Sequence, residues 1–203
     1  NNFYDVFALI IDYGQRHSIE IESAKKIADI ADVPWKVLNL KNYFQALTVS
    51  ALTGSGSVSE SHPTNSNLPA SFVPGRNLVF LTSAAILAQQ KGYTNVVTGV
   101  CQTDYSGYPD CRNNTMNALQ LSLNLGMDSN IEIHTPLMWL NKKETVELAT
   151  MFPKCMKAMQ YSHTCYEGKY PPCSECPSCK LRQKGFDEAG IIDPIFKRKT
   201  HDK

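Results

Sequence analysis

Three consecutive segments near the start of the chain decide its fold: YDVFALIID (4–12), SIEIESAKKIADIA (18–31) and WKVLNL (35–40). The first and the third are short apolar runs that are typical of buried strands in a parallel sheet. The second places its apolar side chains on one face of a helix and its charges on the opposite face. A strand, a helix and a strand at this spacing predict a right-handed crossover between parallel strands.

The same alternation continues further along the chain. Helices are predicted at RNLVFLTSAAILAQQKG (76–92), NNTMNALQLSLNLG (113–126) and NKKETVELATMF (141–152), and strands at TNVVTGV (94–100) and IEIHTP (131–136). Gly92 and Gly126 are expected to end their helices. Residues 48–71 are rich in Ser, Gly, Asn and Pro and predict a long, mobile, irregular loop, of a length that is usually disordered or a functional lid. The fold class is therefore α/β, with an open, doubly wound and mostly parallel sheet.

The composition is that of a globular protein without a strong charge bias. The chain has 203 residues, and its net charge of +1 favours neither nucleic acid nor an anionic membrane as a partner. No apolar run approaches the roughly 18–20 residues that span a bilayer. The N-terminal residues lack the features of a secretory signal. We therefore expect a cytoplasmic protein with no membrane partner and no stable nucleic-acid partner.

Four of the seven cysteines lie in CYEGKYPPCSECPSC (165–179), with the spacing C-x7-C-x2-C-x2-C. An odd total without a secretory signal argues against disulfide pairing. Four thiolates fill the tetrahedral shell of Zn(II) and leave no position for a catalytic water, so a structural zinc site is predicted at Cys165, Cys173, Cys176 and Cys179. Disulfides, free thiols and an iron–sulfur cluster remain alternatives. Cys155 lies on a helical face and is expected in the core.

Ligands of doubly wound sheets bind beyond the carboxyl ends of the strands, and four polar stretches occupy such positions. They are DYGQRH (12–17), FVPGRN (72–77), GVCQTDYSGYPDCR (99–112) and TPLMWLNKKET (135–145). Backbone N–H groups of the first could bind a phosphate. Alternatively, Asp12 caps a helix while Arg16 and His17 are solvated.

The other stretches also allow two interpretations each. Arg76 puts a cation at the positive end of a helix, which is unfavourable unless an anion or an acidic side chain lies nearby. Alternatively, the Arg76 side chain is simply exposed to solvent, which is the ordinary outcome for arginine. Residues 99–112 combine carboxylates with aromatic rings, a combination that suits the binding of a flat, nitrogen-rich heterocycle. Alternatively, these residues form a helix-capping loop with Asp110 near a helix N-terminus. Cys111 is either a nucleophile or a buried inert thiol. Lys142 could reach a phosphate or remain solvated.

Taken together, these stretches and the TCYEG…C…C…CKLR tail resemble the QueC family, the 7-cyano-7-deazaguanine synthases of the PP-loop ATP pyrophosphatase superfamily. The motifs follow the family's order and spacing over nearly the whole chain. The resemblance implies an α/β sheet of the adenine-nucleotide α-hydrolase type and a homodimer. It also implies that 7-carboxy-7-deazaguanine and ammonia are converted, with ATP and Mg(II), into 7-cyano-7-deazaguanine, a precursor of queuosine.

The resemblance matches the four clustered cysteines to the family's zinc ligands. Loop position and residue chemistry supply the remaining assignments: Gln15, Arg16, Arg76, Asn77 and Lys142 for ATP, and Asp104, Asp110 and Arg112 for the deazaguanine and its carboxylate. No general base is evident. The expected domains are a nucleotide-binding α/β domain (1–153) and a C-terminal helical, zinc-binding segment (154–203).

One family motif does not occur in the chain. The family carries an SGGxDS phosphate loop before the strand that leads to DYGQRH, and the sequence begins at Asn1, already past that point. We expect the first strand, this loop and the first helix to precede Asn1 in the whole protein. Two other functions stay open. One is another PP-loop activity such as tRNA thiolation, against which the low net charge argues. The other is a zinc knuckle that binds nucleic acid, which would leave the upstream loops without a purpose.

Overall fold

The computed structural model describes residues 5–15, 17–47, 61–62, 65–69, 71–103 and 108–198. The chain forms two compact units, one made of residues 1–60 with 142–203 and the other of residues 61–141. Each unit contains one pair of parallel strands with helices, so the α/β class with parallel strands is confirmed. The division of the chain at residue 153 stays a prediction.

The first unit begins with the predicted strand, helix and strand. β1 (Ala8–Asp12) pairs in parallel with β2 (Trp35–Asn39), and α1 (Ile19–Ala31) connects them. Asp32 ends α1 in the left-handed conformation, where its N–H donates to the carbonyl groups of Ala28 and Asp29. A short helix that was not predicted, α2 (Lys41–Leu47), follows β2 and buries Phe44.

The second unit opens with a small antiparallel hairpin, β3 (Ser61–His62) with β4 (Asn65–Pro69). The prediction of an irregular loop is therefore wrong for these residues, because backbone pairing between strands does not require an apolar pattern. Residues 48–60 of that predicted loop lie outside the described part of the chain.

The remainder of the second unit follows the predicted order: α3 (Arg76–Lys91), β5 (Asn95–Val97), α4 (Asn113–Met127) and β6 (Glu132–His134). β5 and β6 pair in parallel. Gly92 ends α3 as predicted, whereas Gly126 lies inside α4 and Asp128 takes the left-handed position beyond it. Aspartate tolerates that conformation better than most residues, so the glycine was not needed there. The core of this unit consists of Leu81, Ala85, Ala88, Val96, Met116, Leu123, Ile131 and Met138.

The first unit is completed by three C-terminal helices, α5 (Lys142–Thr150), α6 (Pro153–Met159) and α7 (Pro177–Glu188). A buried ion pair fixes α7 to the following 3₁₀ turn (Pro194–Lys197). The Arg182 guanidinium donates to both carboxylate oxygens of Asp193, and its Nη1 also donates to the Ser162 hydroxyl at 2.7 Å.

None of the helices in the described residues is long and apolar enough to cross a membrane.

Helix α7 approaches the start of α5 closely because Gly185 has no side chain. A Cβ atom at Gly185 would lie 2.7 Å from Lys142 Cβ and 3.2 Å from the Lys142 carbonyl oxygen. The second of these atoms belongs to the backbone and cannot rotate away. The packing of α7 therefore fixes the position of Lys142 at the N-terminus of α5.

We expect Gly185→Ala to lower the free energy of unfolding by about 1–3 kcal/mol, the usual cost of overpacking. Gly126→Ala is the matched control, because Gly126 is also helical and a Cβ there would meet nothing within 4 Å. That variant should be stabilised by up to about 1 kcal/mol, since alanine favours the helix. Urea unfolding of both variants makes the comparison, and equal midpoints would contradict the packing argument.

Candidate metal centre and ligand loops

The sulfur atoms of Cys165, Cys173, Cys176 and Cys179 all lie within 4.8 Å of one another. The Sγ atoms of Cys173 and Cys179 are 3.9 Å apart. Four sulfurs at about 2.3 Å from a tetrahedral Zn(II) would be separated by about 3.8 Å, so the cluster has the dimensions that this ion requires. Three of the four thiols are buried and Cys173 is partly exposed. The predicted ligand set is thus assembled and could hold a metal ion.

Tight backbone turns bring these cysteines together. The Gly168 N–H donates to the Cys165 carbonyl at 3.0 Å, which closes the turn after the first cysteine. The Cys176 N–H points at the Cys173 sulfur at 3.4 Å, and Ser174 between them takes the left-handed conformation. Cys176 then caps α7, so the last two ligands belong to the beginning of a regular helix.

The pKa values of three of the clustered thiols differ from that of an ordinary thiol. Burial raises the pKa values of Cys176 and Cys179 above that of an ordinary thiol. Burial also opposes ionisation of Cys173, but the N–H groups of Cys176 and Glu175 and the Cys165 thiol lower its pKa to about 7. A bound dication would displace the remaining protons and balance the charge of the thiolates.

The turn after Cys165 packs against the loop that follows β1. A Cβ atom at Gly168, whose φ is +62°, would lie 2.2 Å from Cγ of His17 and 2.6 Å from its Nδ1. The imidazole therefore rests directly on the glycine backbone. This contact joins the metal-binding segment to DYGQRH (12–17). It could not be predicted from local sequence patterns, because the two residues are far apart in the chain.

Three polar side-chain atoms of the first unit are shielded from solvent. Among the described residues, none supplies a hydrogen-bond partner to His17 Nε2, His163 Nδ1 or Thr164 Oγ1. The other ring nitrogen of His163, Nε2, lies 3.2 Å from the Cys165 carbonyl oxygen. Buried polar atoms without partners are uncommon in native structures and require an explanation.

Burial lowers the pKa of His163 below its ordinary value. The backbone contact with Cys165 opposes this change, while the charges of Arg182, Arg198 and His17 contribute to it.

The loop after β1 is braced by its own side chains. The Asp12 carboxylate accepts the Gly14 N–H, and the Gln15 side-chain oxygen accepts the Tyr13 N–H, both at 3.0 Å. Asp12 thus stabilises the loop rather than the start of α1, whose N-cap residue is Ser18. Arg16 lies outside the described residues.

In the second unit, Asp110 connects two of the predicted stretches. Its carboxylate is buried and accepts the Asn77 backbone N–H at 2.9 Å, so it caps the first turn of α3. The Asn77 side chain in turn lies 3.2 Å from the Cys111 sulfur. The Arg76 guanidinium lies 6.0 Å from the Tyr108 ring. The structure therefore brings Arg76, Asn77 and Asp110 together around the N-terminus of one helix.

The remaining predicted residues occupy different settings. Arg112 is exposed and immediately precedes α4, and Asp104 lies outside the described residues. Lys142 is half-buried at the start of α5. Cys155 is exposed, so its expected place in the core is wrong, because α6 turns that face outward.

Comparison with known proteins then identifies the family. A family model described as "Queuosine biosynthesis protein QueC" matches residues 1–190. The 7-cyano-7-deazaguanine synthase of Chromobacterium violaceum is 53% identical, covering 95% of this chain and 82% of the relative. The protein of the same name from Laribacter hongkongensis is 50% identical, covering 98% of this chain and 86% of the relative. This chain belongs to the QueC family.

A third relative carries the same name. The 7-cyano-7-deazaguanine synthase of Lysinibacillus sphaericus is 46% identical over 92% of this chain. The family resemblance inferred from the motifs is thereby confirmed. The roles of individual ligand-loop residues in this QueC protein stay predictions.

Proposed function

We propose that this protein makes 7-cyano-7-deazaguanine from 7-carboxy-7-deazaguanine and ammonia at the expense of ATP, in queuosine biosynthesis. The observation that carries the proposal is the 53% identity, over 95% of the chain, to a protein named 7-cyano-7-deazaguanine synthase. The protein is then an ATP-dependent ligase that forms carbon–nitrogen bonds.

The chemistry explains why ATP is consumed. A carboxylate is a poor electrophile because its negative charge is delocalised and repels nucleophiles. Transfer of AMP to a carboxylate oxygen releases pyrophosphate and creates a leaving group, which ammonia displaces to give the amide and AMP. A second transfer of AMP, to the amide oxygen, allows AMP to leave again with loss of protons, and the nitrile forms. The site must exclude water, which would hydrolyse the adenylate.

The polar loops supply groups for this reaction. Helix N-termini offer backbone N–H groups to phosphate oxygens, and at α3 the Asn77 N–H already binds the Asp110 carboxylate. We assign ATP, with Mg(II), to Gln15, Arg16, Arg76, Asn77 and Lys142. We assign the deazaguanine and its carboxylate to Asp104, Asp110 and Arg112. Because Asp110 Oδ2 accepts the Asn77 N–H, we assign the ring N–H group to Oδ1, which the Cys111 thiol contacts at 4.0 Å.

The metal centre is assigned to Zn(II) with a structural role. Its four ligands are all thiols, which leaves no open position for substrate. We further propose a cytoplasmic homodimer without a stable nucleic-acid partner. The exposed Leu121 and Leu125, one turn apart on α4, are apolar side chains that a second copy could cover.

Lys142→Ala is expected to lower kcat/KM for ATP about 10²-fold, because it removes a positive charge from the transferring phosphates. Lys143→Ala is the matched control, since Lys143 is exposed and its nitrogen lies 3.6 Å from Glu147 on the helix surface. Its kcat/KM should change less than about twofold. Steady-state kinetics at varied ATP separates the two, and equal values would remove Lys142 from the ATP site.

The function is tested by incubating the full-length protein with the carboxylate, ammonium, Mg(II) and ATP. We expect to detect the nitrile by mass spectrometry. AMP should be in excess over the nitrile, since both oxygens of the substrate carboxylate must be adenylated before they leave. Absence of the nitrile with thiolation of added tRNA would favour another PP-loop activity. Absence of any nucleotide hydrolysis would favour a zinc-dependent binding module.

A further inference from the structure

Cys111 has no role in the assignments above, although it lies beside a residue that is assigned to ATP. It ends a short 3₁₀ turn (Pro109–Cys111) that precedes α4. Its Sγ atom lies 3.2 Å from the side-chain nitrogen, Nδ2, of Asn77 in the first turn of α3. The two residues are 34 positions apart in the chain, so their contact depends on how the 3₁₀ turn packs against α3.

Asp110 completes a closed ring of contacts with these two residues. Its Oδ2 atom accepts the Asn77 backbone N–H at 2.9 Å, and its Oδ1 atom lies 4.0 Å from the Cys111 sulfur. A carboxylate only accepts hydrogen bonds, so the thiol is the donor in the second contact. The sulfur is then left as an acceptor, and the part of the Asn77 side chain that faces it is the NH₂ group.

The ring of contacts determines which atom of the Asn77 side chain remains for a ligand. A side-chain amide has two N–H donors on one side and a carbonyl oxygen on the other. With Nδ2 bound to the sulfur, Oδ1 lies on the opposite side of the amide, where it can accept a hydrogen bond. The last torsion of asparagine is broad and roughly two-fold, so without the sulfur the amide would populate both orientations. Restricting it before binding lowers the entropic cost of binding.

The turn that carries Cys111 is itself held in place by hydrogen bonds. The Cys111 N–H donates to the Tyr108 carbonyl at 3.1 Å, and the Thr115 hydroxyl donates to the Pro109 carbonyl at 2.8 Å. Asp110, between them, is only 6% exposed. A sulfur atom on a turn that is fixed in this way can hold a flexible side chain in one orientation.

We infer that Cys111 is a positioning residue, which holds the Asn77 amide with its carbonyl oxygen available to a hydrogen-bond donor of the bound nucleotide. The inference rests on the proposed function, in which Asn77 binds ATP. In this role Cys111 acts through Asn77 and does not itself touch the nucleotide. Its effect is therefore on the affinity for ATP and not on the chemical step.

Removal of the thiol tests this role in the full-length protein. Cys111→Ala should raise the Kd and the KM for ATP about fivefold, the effect of losing one hydrogen bond, while kcat changes less than about twofold. Cys111→Ser keeps a hydroxyl that can donate to Asp110 and accept from Asn77, so it should recover most of the affinity. Titration calorimetry with ATP and Mg(II) measures the Kd, and steady-state kinetics separates KM from kcat.

A double-mutant cycle shows whether Cys111 acts through Asn77. In the Asn77→Ala protein, the further change Cys111→Ala should alter the Kd for ATP less than about twofold, because the side chain that the thiol positions is already absent. Thr115→Val is the matched control, since it removes a hydrogen bond to the same turn and leaves the thiol in place. Its Kd for ATP should stay near that of the wild type. Circular dichroism verifies that every variant compared is folded.

The outcomes separate this inference from the proposed function. A wild-type Kd in Cys111→Ala, or a loss of affinity that is the same with and without the Asn77 side chain, would overturn the inference alone. An equal loss in Thr115→Val, or no recovery in Cys111→Ser, would show that the turn is merely structural and would overturn it as well. A wild-type protein that binds ATP but makes no nitrile would overturn the proposed function, while the comparison of Kd values would still decide the role of Cys111.

Discussion

Cys176→Ser is expected to abolish stoichiometric zinc binding and to reduce the soluble yield of the protein. Cys176 is buried, caps α7 and supplies one of four sulfurs within 4.8 Å of one another. A structural zinc contributes about 10–16 kcal/mol at neutral pH. That is comparable with the whole stability of a domain, about 5–15 kcal/mol. Loss of one thiolate should therefore release the segment from Cys165 to the start of α7.

The control for this variant is Cys155→Ser. Cys155 is an exposed cysteine outside the cluster, so its replacement should leave zinc content and solubility unchanged. Metal analysis of the purified proteins and the soluble fraction after expression provide the two measurements. Full zinc occupancy in Cys176→Ser would exclude this residue from the ligand set.

Asp193→Asn is expected to lower the free energy of unfolding by about 3–5 kcal/mol, because it leaves the buried charge of Arg182 without its partner. The side chains of Arg182 and Asp193 are only 9% and 3% exposed, so solvent cannot replace the lost carboxylate. For a chain of this size, the change corresponds to a fall in Tm of about 10 °C. Thermal unfolding followed by circular dichroism measures it.

The same helix supplies the control for the ion pair. Lys184 and Glu188 form an exposed pair on α7 at 3.7 Å. Lys184→Ala should cost less than about 1 kcal/mol, because solvent screens both charges. A Tm for Asp193→Asn as high as that of Lys184→Ala would show that the Arg182–Asp193 pair does not stabilise the first unit.

Helix α7 carries or contacts the residues on which these predictions depend. Its N-terminus carries two of the metal ligands, its middle carries Arg182, and its C-terminal half packs through Gly185 on Lys142. Removal of the metal should therefore also affect the position of Lys142. In this view the zinc is structural, but the structure that it maintains includes a residue assigned to ATP.

Local patterns in the sequence were sufficient for the parallel strands and the longer helices. β1, α1 and β2 follow directly from strand-like runs and one helical apolar stripe, and the cysteine spacing predicted a cluster that the structure assembles. The short helix α2 was not predicted, whereas α6 and α7 were predicted only as helical structure without bounds in the C-terminal segment. In α7, a polar and proline-initiated sequence is stabilised mainly by contacts with distant residues.

The candidate sites show the limit of such reasoning more clearly. One interpretation put Asp110 near a helix N-terminus, but the N–H that its carboxylate accepts belongs to Asn77, 33 residues earlier in the chain. The contact between His17 and Gly168 is equally long in range and has no local signature. The chemistry of a residue can identify it as a candidate for a functional site. Its contact partners depend on how distant segments of the chain pack.

The central claim is most directly tested with ¹⁵N-labelled ammonium, 7-carboxy-7-deazaguanine and ATP in one reaction with the full-length protein. Mass spectrometry should detect 7-cyano-7-deazaguanine carrying a single ¹⁵N atom, formed only when ATP is present and accompanied by AMP. Unchanged carboxylate after complete ATP hydrolysis, or a nitrile-free reaction with a fully zinc-loaded protein, would contradict the account.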